Sequence, residues 1–399
     1  MSDYTVNPNS AVYYSHKYWN ELPIVKAHIH RRISGDPDID LFTHFADRVP
    51  QTFLRALILN CGNGWVERDL FARGMIAEAI GIDCSESLLD DARSSAHDVG
   101  FPADYYLMDV NSAAFPTESV DLAVNYAAGH HIACLDRVFR TVCEILPDDG
   151  WYLGYDYVGP HRNQYGAEAW DEIWRVNELL PSHLRQALAY PHLPTMLLTD
   201  PTEAIHSELV LRVFRRYFEE VEYVSVGGAI AYPLLTFNDG IFAAPEEEQT
   251  PWVQQVLDAD VRFLESHPDS SLFTYFTGRP KKEVLADHEQ LRQWTEEETK
   301  REASAQAEGG EYYPRTALAV MSITAEQSRA IAQEEKLAID RLDERVKNLE
   351  GELQTLRSST SYRLAVNIAS SPLAGAARKL ARVSPVERAL RRWLHQQAR

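Results

Sequence analysis

The sequence predicts an α/β protein: a parallel sheet covered by helices on both faces, with helical segments added before and after it. Two observations carry this. Five short apolar runs between residues 56 and 158 alternate with helical patterns, and repeated strand–helix units imply a parallel sheet buried on both faces. A glycine-rich turn follows the first run and an aspartate ends the second, the arrangement expected where such a sheet binds a ligand beyond its strand ends. A chain of 399 residues, 45% of them hydrophobic, is ample for a packed core.

Residues 1–49 are aromatic-rich and read as a helical cap preceding the core. ALIL (56–59) runs into the turn CGNG and suits a buried first strand. MIAEAIGID (75–83), DYYLMDV (104–110), VDLAVNY (120–126) and GWYLGYDYV (150–158) give strands two to five. SESLLDDARSSAHDVG (85–100) is a helix closed by Gly100. After Val158, residues 160–215 read as mostly helical. VEYVSVGG (221–228) and SLFTYFTGR (271–279) are two further strands, separated by a helix over 250–267. The body therefore spans 50–280, and 281–323 reads as a charged linker or a solvated helix. Ile339, Leu342, Val346, Leu349, Leu353 and Leu356 follow a 3-4-3-4-3 spacing within an amphipathic segment, 324–357. That seam predicts a coiled coil joining subunits through 339–356, or a single helix packed on the body.

The formal net charge is -20, which argues against general nucleic-acid binding, since phosphate recognition needs a cationic footprint. The charge is uneven: the tail 358–399 carries eight Arg/Lys against Glu387 alone. Its mix of apolar and basic residues suits an anionic membrane surface, an acidic partner, or the protein's own acidic body. No stretch approaches the ~20 apolar residues of a membrane span. The N-terminus shows no secretory h-region, and Cys61, Cys84, Cys134 and Cys143 have no metal or redox spacing. The expectation is a cytoplasmic protein with reduced thiols.

Chemistry is expected at the strand ends. Asn60, Gly62 and Gly64 lie in the turn after strand one, where glycines let backbone N–H groups approach a ligand. Asp83 ends strand two, 19 residues past Gly64, and is placed to accept two hydrogen bonds from ribose hydroxyls. Asp109 ends strand three, placed for an adenine amino group. Cys84 and Val110, next in sequence, complete this set. Together they predict a nucleoside-type cofactor. No His/Asp/Glu set has metal-ligand spacing, so no metal is predicted.

With these residues the chain resembles the class I S-adenosylmethionine-dependent methyltransferases. ALILNCGNG resembles their first motif, IGIDCSESLL the second, MDVNSAAFPTESVDLAVN the third with strand four, and CEILPDDGWYL the turn into strand five. The resemblance covers roughly 50–280. It implies a Rossmann-like seven-stranded sheet, with strands six and seven antiparallel, and S-adenosyl-L-methionine as cofactor. Ile58 stands where many members have an acid and Asn60 where many have glycine, which removes one contact to the methionine end. A closer likeness is to a bacterial subgroup associated with surface-glycan synthesis. It rests on His130-His131-Ile132, on the block from Asp156 through Gly159, Pro160, Arg162 and Gln164, and on Asp200-Pro201 with Glu203-Ala204 and Ser207.

The resemblance implies an enzyme that methylates a hydroxyl of a bacterial polysaccharide or glycan precursor. A sugar hydroxyl needs a base during attack. His131 and, after it, His130 follow strand four at the mouth where the methyl projects; Asp156 is a second base or orients a histidine. Asn125 is placed for the cofactor's amino-acid end, and Arg32 or Arg162 for its carboxylate. Arg162, Gln164 and Tyr157 are candidates for the acceptor, with Trp19, Tyr155 and Trp170 as further stacking rings. The basic tail is consistent with attachment to a membrane or to a glycan-assembly partner. Competing readings are a methyltransferase of a soluble metabolite or nucleotide sugar, and a non-catalytic scaffold acting through the coiled coil and tail.

Overall fold

The computed structural model describes residues 17–115, 119–191, 193, 196–197, 200–308 and 347. The heptad seam apart from Lys347, the basic tail and the start of the N-terminal cap lie outside the described residues.

Seven strands form one sheet: β1 Phe53–Leu59, β2 Ile76–Asp83, β3 Ala103–Leu107, β4 Leu122–Tyr126, β5 Trp151–Tyr157, β6 Phe218–Gly227 and β7 Phe273–Pro280. The order is β3-β2-β1-β4-β5-β7-β6. Strands β1 to β5 pair in parallel, and β7 is antiparallel to both β5 and β6. All seven predicted strands are present. The chain switches direction across the sheet between β1 and β4, so the loops after these two strands diverge and open a crevice at their C-terminal ends.

The helices are α1 Pro23–Ser34, α2 Leu41–Arg48, α3 Trp65–Ala72, α4 Glu86–Asp98, α5 Leu135–Ile145, α6 Ala167–Leu179, α7 Val210–Tyr217, α8 Ala231–Leu235, α9 Asp239–Ala243, α10 Glu246–Ser266 and α11 His288–Glu308. They cover both faces. Along β1, Ala56 and Ile58 join the core shared with α1 to α4, while Leu57 and Leu59 join that of α5 and α7. This is the alternation a two-sided strand requires. Much of 160–215, read as helical, is instead loop and single turns between α6 and α7.

The charged stretch read as a linker or a solvated helix contains α11, a helix docked on the body. Trp294 packs edge-on to Tyr217 with ring centroids 5.4 Å apart, and Arg216 joins Asp136 of α5 to Glu297 of α11. The Asp136 N–H donates to Glu298 Oε1 at 2.6 Å, capping α5 from a helix 162 residues away. Composition alone marked the segment as solvated; one tryptophan and two acids suffice to seat it.

Two buried carboxylates generate predictions. Asp260 of α10 accepts backbone N–H groups of Gly228, Ile230 and Ala231 at 2.9, 2.6 and 3.1 Å, fixing the turn between β6 and α8. Asp260→Ala strands three buried donors and is expected to cost about 3 to 5 kcal/mol in denaturant unfolding. Glu67 of α3 is fully buried beneath the glycine turn, and neither carboxylate oxygen has a well-formed hydrogen bond. Burial raises its pKa to about 7. Its folded pKa exceeds the unfolded one, so the stability it leaves intact below pH ~4.5 is lost as pH rises towards 7. Glu67→Gln should therefore gain on wild type by about 3 kcal/mol between pH 4.5 and 8, read by denaturant unfolding at the two pH values.

Candidate active site

Three adjacent strand ends build a rim. After β1 the backbone takes positive φ at Asn60, Gly62 and Gly64 (50°, 56° and 73°), so the chain coils left-handedly before α3 begins. The Gly62 N–H donates to Asp83 Oδ2 at 2.9 Å, and the Ser85 N–H to Asp83 Oδ1 at 2.8 Å. Asp83 thus ties the glycine turn to the start of α4. Burial raises its pKa, against the N–H groups it accepts and nearby His131. Asp109 accepts from the Asn111 N–H and side-chain amide, both at 2.9 Å. Cys84 lies between the two carboxylates with its thiol on the Met108 carbonyl, and Val110 is buried beside Asp109. The predicted cofactor residues of strands one to three are therefore gathered along one edge.

Asn125, expected at the methionine end of the cofactor, is fully buried and donates from Nδ2 to Asp156 Oδ2 at 2.6 Å. It belongs to a different group of residues. Asp156, unexposed at the end of β5, also accepts from His130 Nδ1 at 2.7 Å and from the Tyr157 N–H at 2.8 Å. Gly129 makes room for this: a Cβ there would collide with Asp156 Oδ2 and lie 2.5 Å from Asn125 Nδ2. His131 sits against His130, ring centroids 4.3 Å apart, with its Nδ1 3.0 Å from Thr202 Oγ1. Thr202 in turn donates to Asp200 Oδ1 at 2.7 Å. A hydroxyl has one proton, so Thr202 accepts from His131 Nδ1–H and the lone pair of neutral His131 lies on Nε2. Glu203 Oε2 stands 3.9 Å from His130 Nε2 and 3.7 Å from His131 Nε2.

The two imidazoles differ electrostatically. Burial alone would lower the pKa of His130, but Asp156 in contact, with Glu203 and Asp200, raises it to about 9. His131 is lowered, by burial and then by its neighbour His130. The cluster is tied to the rim: Asn60 Nδ2 donates to the Ala128 carbonyl at 3.1 Å, and the Ile205 N–H to the His130 carbonyl at 3.1 Å.

The predicted acceptor residues are not gathered here as binders. Tyr157 is buried, edge-on to Phe273 and His130. Arg162 is buried at φ 55° and donates to the Glu203 carbonyl at 3.0 Å; Gln164 donates to the carbonyls of Arg162 and Pro191. They order the loop that presents Glu203. Arg32 donates to the Ser225 carbonyl, and Trp19 and Tyr155 are core residues. Trp170 stacks on Tyr165. The Tyr157 ring lies 5.9 Å from that of His130 and 6.0 Å from that of Tyr232, so tyrosines wall one side of the cluster. Sequence reasoning noted the segment Asp200–Ser207 but gave Asp200, Thr202 and Glu203 no role; an Asp-Pro-Thr stretch carries only a turn signal.

Residues 57–154 match the family model of a methyltransferase domain. The chain is 26% identical over 131 residues to an uncharacterized methyltransferase, YcgJ, of Bacillus subtilis, covering 33% of this chain and 51% of that protein. It is 32% identical over 94 residues to a ubiquinone biosynthesis O-methyltransferase of Sinorhizobium fredii, covering 24% of this chain and 37% of that one. It thus spans between about a third and half of these relatives' lengths. A solved S-adenosylmethionine-dependent methyltransferase of Mesorhizobium loti aligns over 60% of this chain and 97% of its own, at 20% identity and TM-score 0.37. The rim answers to S-adenosylmethionine by its donor set: two acceptor-only carboxylates at neighbouring strand ends, for a ribose diol and an adenine amine, beside a left-handed turn. Residues 57–154 thus form a methyltransferase domain, and its rim fits S-adenosylmethionine as cofactor.

Proposed function

We propose that the protein transfers a methyl group from S-adenosylmethionine to a hydroxyl of a polyhydroxylated ring, with a bacterial surface polysaccharide or its lipid-linked precursor as the acceptor. The observation that carries the reading is the His130–Asp156 contact at the end of β4, beside the rim where Asp83 feels His131. The cofactor, when bound, supplies an electrophilic sulfonium methyl. Gly62, Gly64, Asp83 and Asp109 hold it, and Cys84 and Val110 line its edge. Asp156 fixes the ring of His130, and Thr202 fixes His131 with its Nε2 lone pair turned towards Glu203. The cluster receives the acceptor proton as the hydroxyl attacks, a task for which histidine is suited near neutral pH. The tyrosine wall and the acids beside it suit a ring bearing several hydroxyls, apolar on its faces and hydrogen-bonding at its edge. The similarity to an O-methyltransferase supports oxygen as the acceptor atom.

Two experiments test this. In calorimetry on folded protein, checked by circular dichroism, Asp83→Asn should weaken S-adenosylmethionine binding by about 10- to 100-fold; equal affinity would remove Asp83 from the site. Labelled methyl should pass from the cofactor into a lipid-linked glycan fraction and not into free nucleotide sugars; label in the soluble fraction alone would make the acceptor a small metabolite. Asp156→Asn should lower that turnover on the order of 100-fold while cofactor affinity is kept.

A further inference from the structure

We propose that His130, His131 and Glu203 together bind one divalent transition-metal ion. Each residue offers one donor atom, and the three atoms lie within 4.8 Å of one another. Both imidazoles turn Nε2 towards the same oxygen, Glu203 Oε2, at 3.9 and 3.7 Å. Those separations are too long for hydrogen bonds. Ligands that each stand about 2.1 Å from one ion lie ~3 to 3.5 Å apart, so a side-chain movement of about an ångström closes a set whose atoms lie within 4.8 Å.

The outer partners are those of a metal site. A ligating histidine usually donates its second ring N–H to a carboxylate or other acceptor, which fixes the tautomer and the ring. Here His130 donates Nδ1–H to Asp156, and His131 donates Nδ1–H to Thr202, itself held by Asp200. Both histidines therefore spend Nδ1–H on an acceptor and turn Nε2 towards Glu203, the orientation for ligation once an ion displaces the Nε2 proton of His130. Asp156 is in turn positioned by Asn125. The surroundings are acidic, with Asp83, Asp156, Asp200 and Glu203 near the two rings, and among the described residues the ion pairs of Glu203 are with these imidazoles.

Two imidazoles and one carboxylate select a divalent first-row metal, such as zinc or iron(II), over magnesium or calcium, which prefer all-oxygen sites. Three protein ligands leave coordination positions for water or an acceptor oxygen. The spacing was invisible in the sequence because Glu203 lies 72 residues beyond His131. Binding of the ion stands independently of the methyl-transfer reading; its task rests on that reading. With the ion bound, coordination would hold and acidify the acceptor hydroxyl, its proton passing to water as the methyl leaves the sulfonium; without it, His131 would take the proton.

The test uses the full chain, stripped with a chelator, dialysed, and titrated with Co²⁺ by visible absorption and with Zn²⁺ by calorimetry. One equivalent per chain is expected, with a rise in melting temperature. Glu203→Gln and His131→Ala should each weaken binding at least about 100-fold. Glu208→Gln, which alters the separate His161–His206–Glu208 group, should bind as wild type does. Circular dichroism of the stripped variants shows that they fold. Stoichiometry far below one, or binding unchanged in Glu203→Gln, overturns the site whatever the methylation assay shows. One equivalent bound with methylation unaffected by stripping keeps the site and overturns its task; methylation without any metal binding keeps the enzyme and overturns the inference.

Discussion

The Asp156 carboxylate is held at the end of β5 with none of its surface exposed, and the histidine cluster is arranged around it. It accepts from the Asn125 amide, the His130 ring and the Tyr157 backbone, so the end of β4 and the turn after it are joined to the end of β5 through one acceptor. Buried acceptors are stable only when their hydrogen bonds are made. Satisfying Asp156 therefore obliges His130 to present Nδ1 inward and Nε2 outward. Gly129 is required for the same reason, because any side chain there would occupy the space of the carboxylate.

The rim after β1 and β2 works by a comparable device. Asp83 accepts N–H groups from the turn after β1 and from the start of α4, and so welds two βα loops at the switch point of the sheet. Three residues of positive φ within five positions shape the turn. Rim and cluster are joined by Asn60, which reaches the Ala128 carbonyl, and the Asp200–Ser207 loop is joined to the cluster by Ile205, which reaches that of His130. Asn60, at a position where many class I methyltransferases have glycine, uses its side chain to make one of these links.

Arg162 and Gln164, candidates for the acceptor, order a loop in the fold. Each was a polar residue near a strand end in a block resembling a known subgroup. In the fold, both spend their donors on backbone carbonyls, and the result is the placement of Glu203. Asn125 was read as a cofactor ligand from its position one turn before the histidine pair. Its side chain faces Asp156 because β4 and β5 are neighbours, with Asn125 opposite Gly154. The charged stretch after β7, read as a linker or a solvated helix, is a helix, and its composition did not show that Trp294 and Glu298 seat it on α5 and α7.

The sequence by itself determined the seven strands, the glycine turn, and the aspartates at the ends of β2 and β3. These are local signals: periodicity of two, short apolar runs and turn residues act over a few neighbours, and the strand ends inherit their order from the chain. Only the tertiary structure decided which polar residues share a site. Asp200, Thr202 and Glu203 reach His130 and His131 because the loop between α6 and α7 folds back over the end of β4. That contact depends on the satisfaction of buried donors and acceptors across 71 residues of chain between His131 and Thr202, a condition no local pattern records.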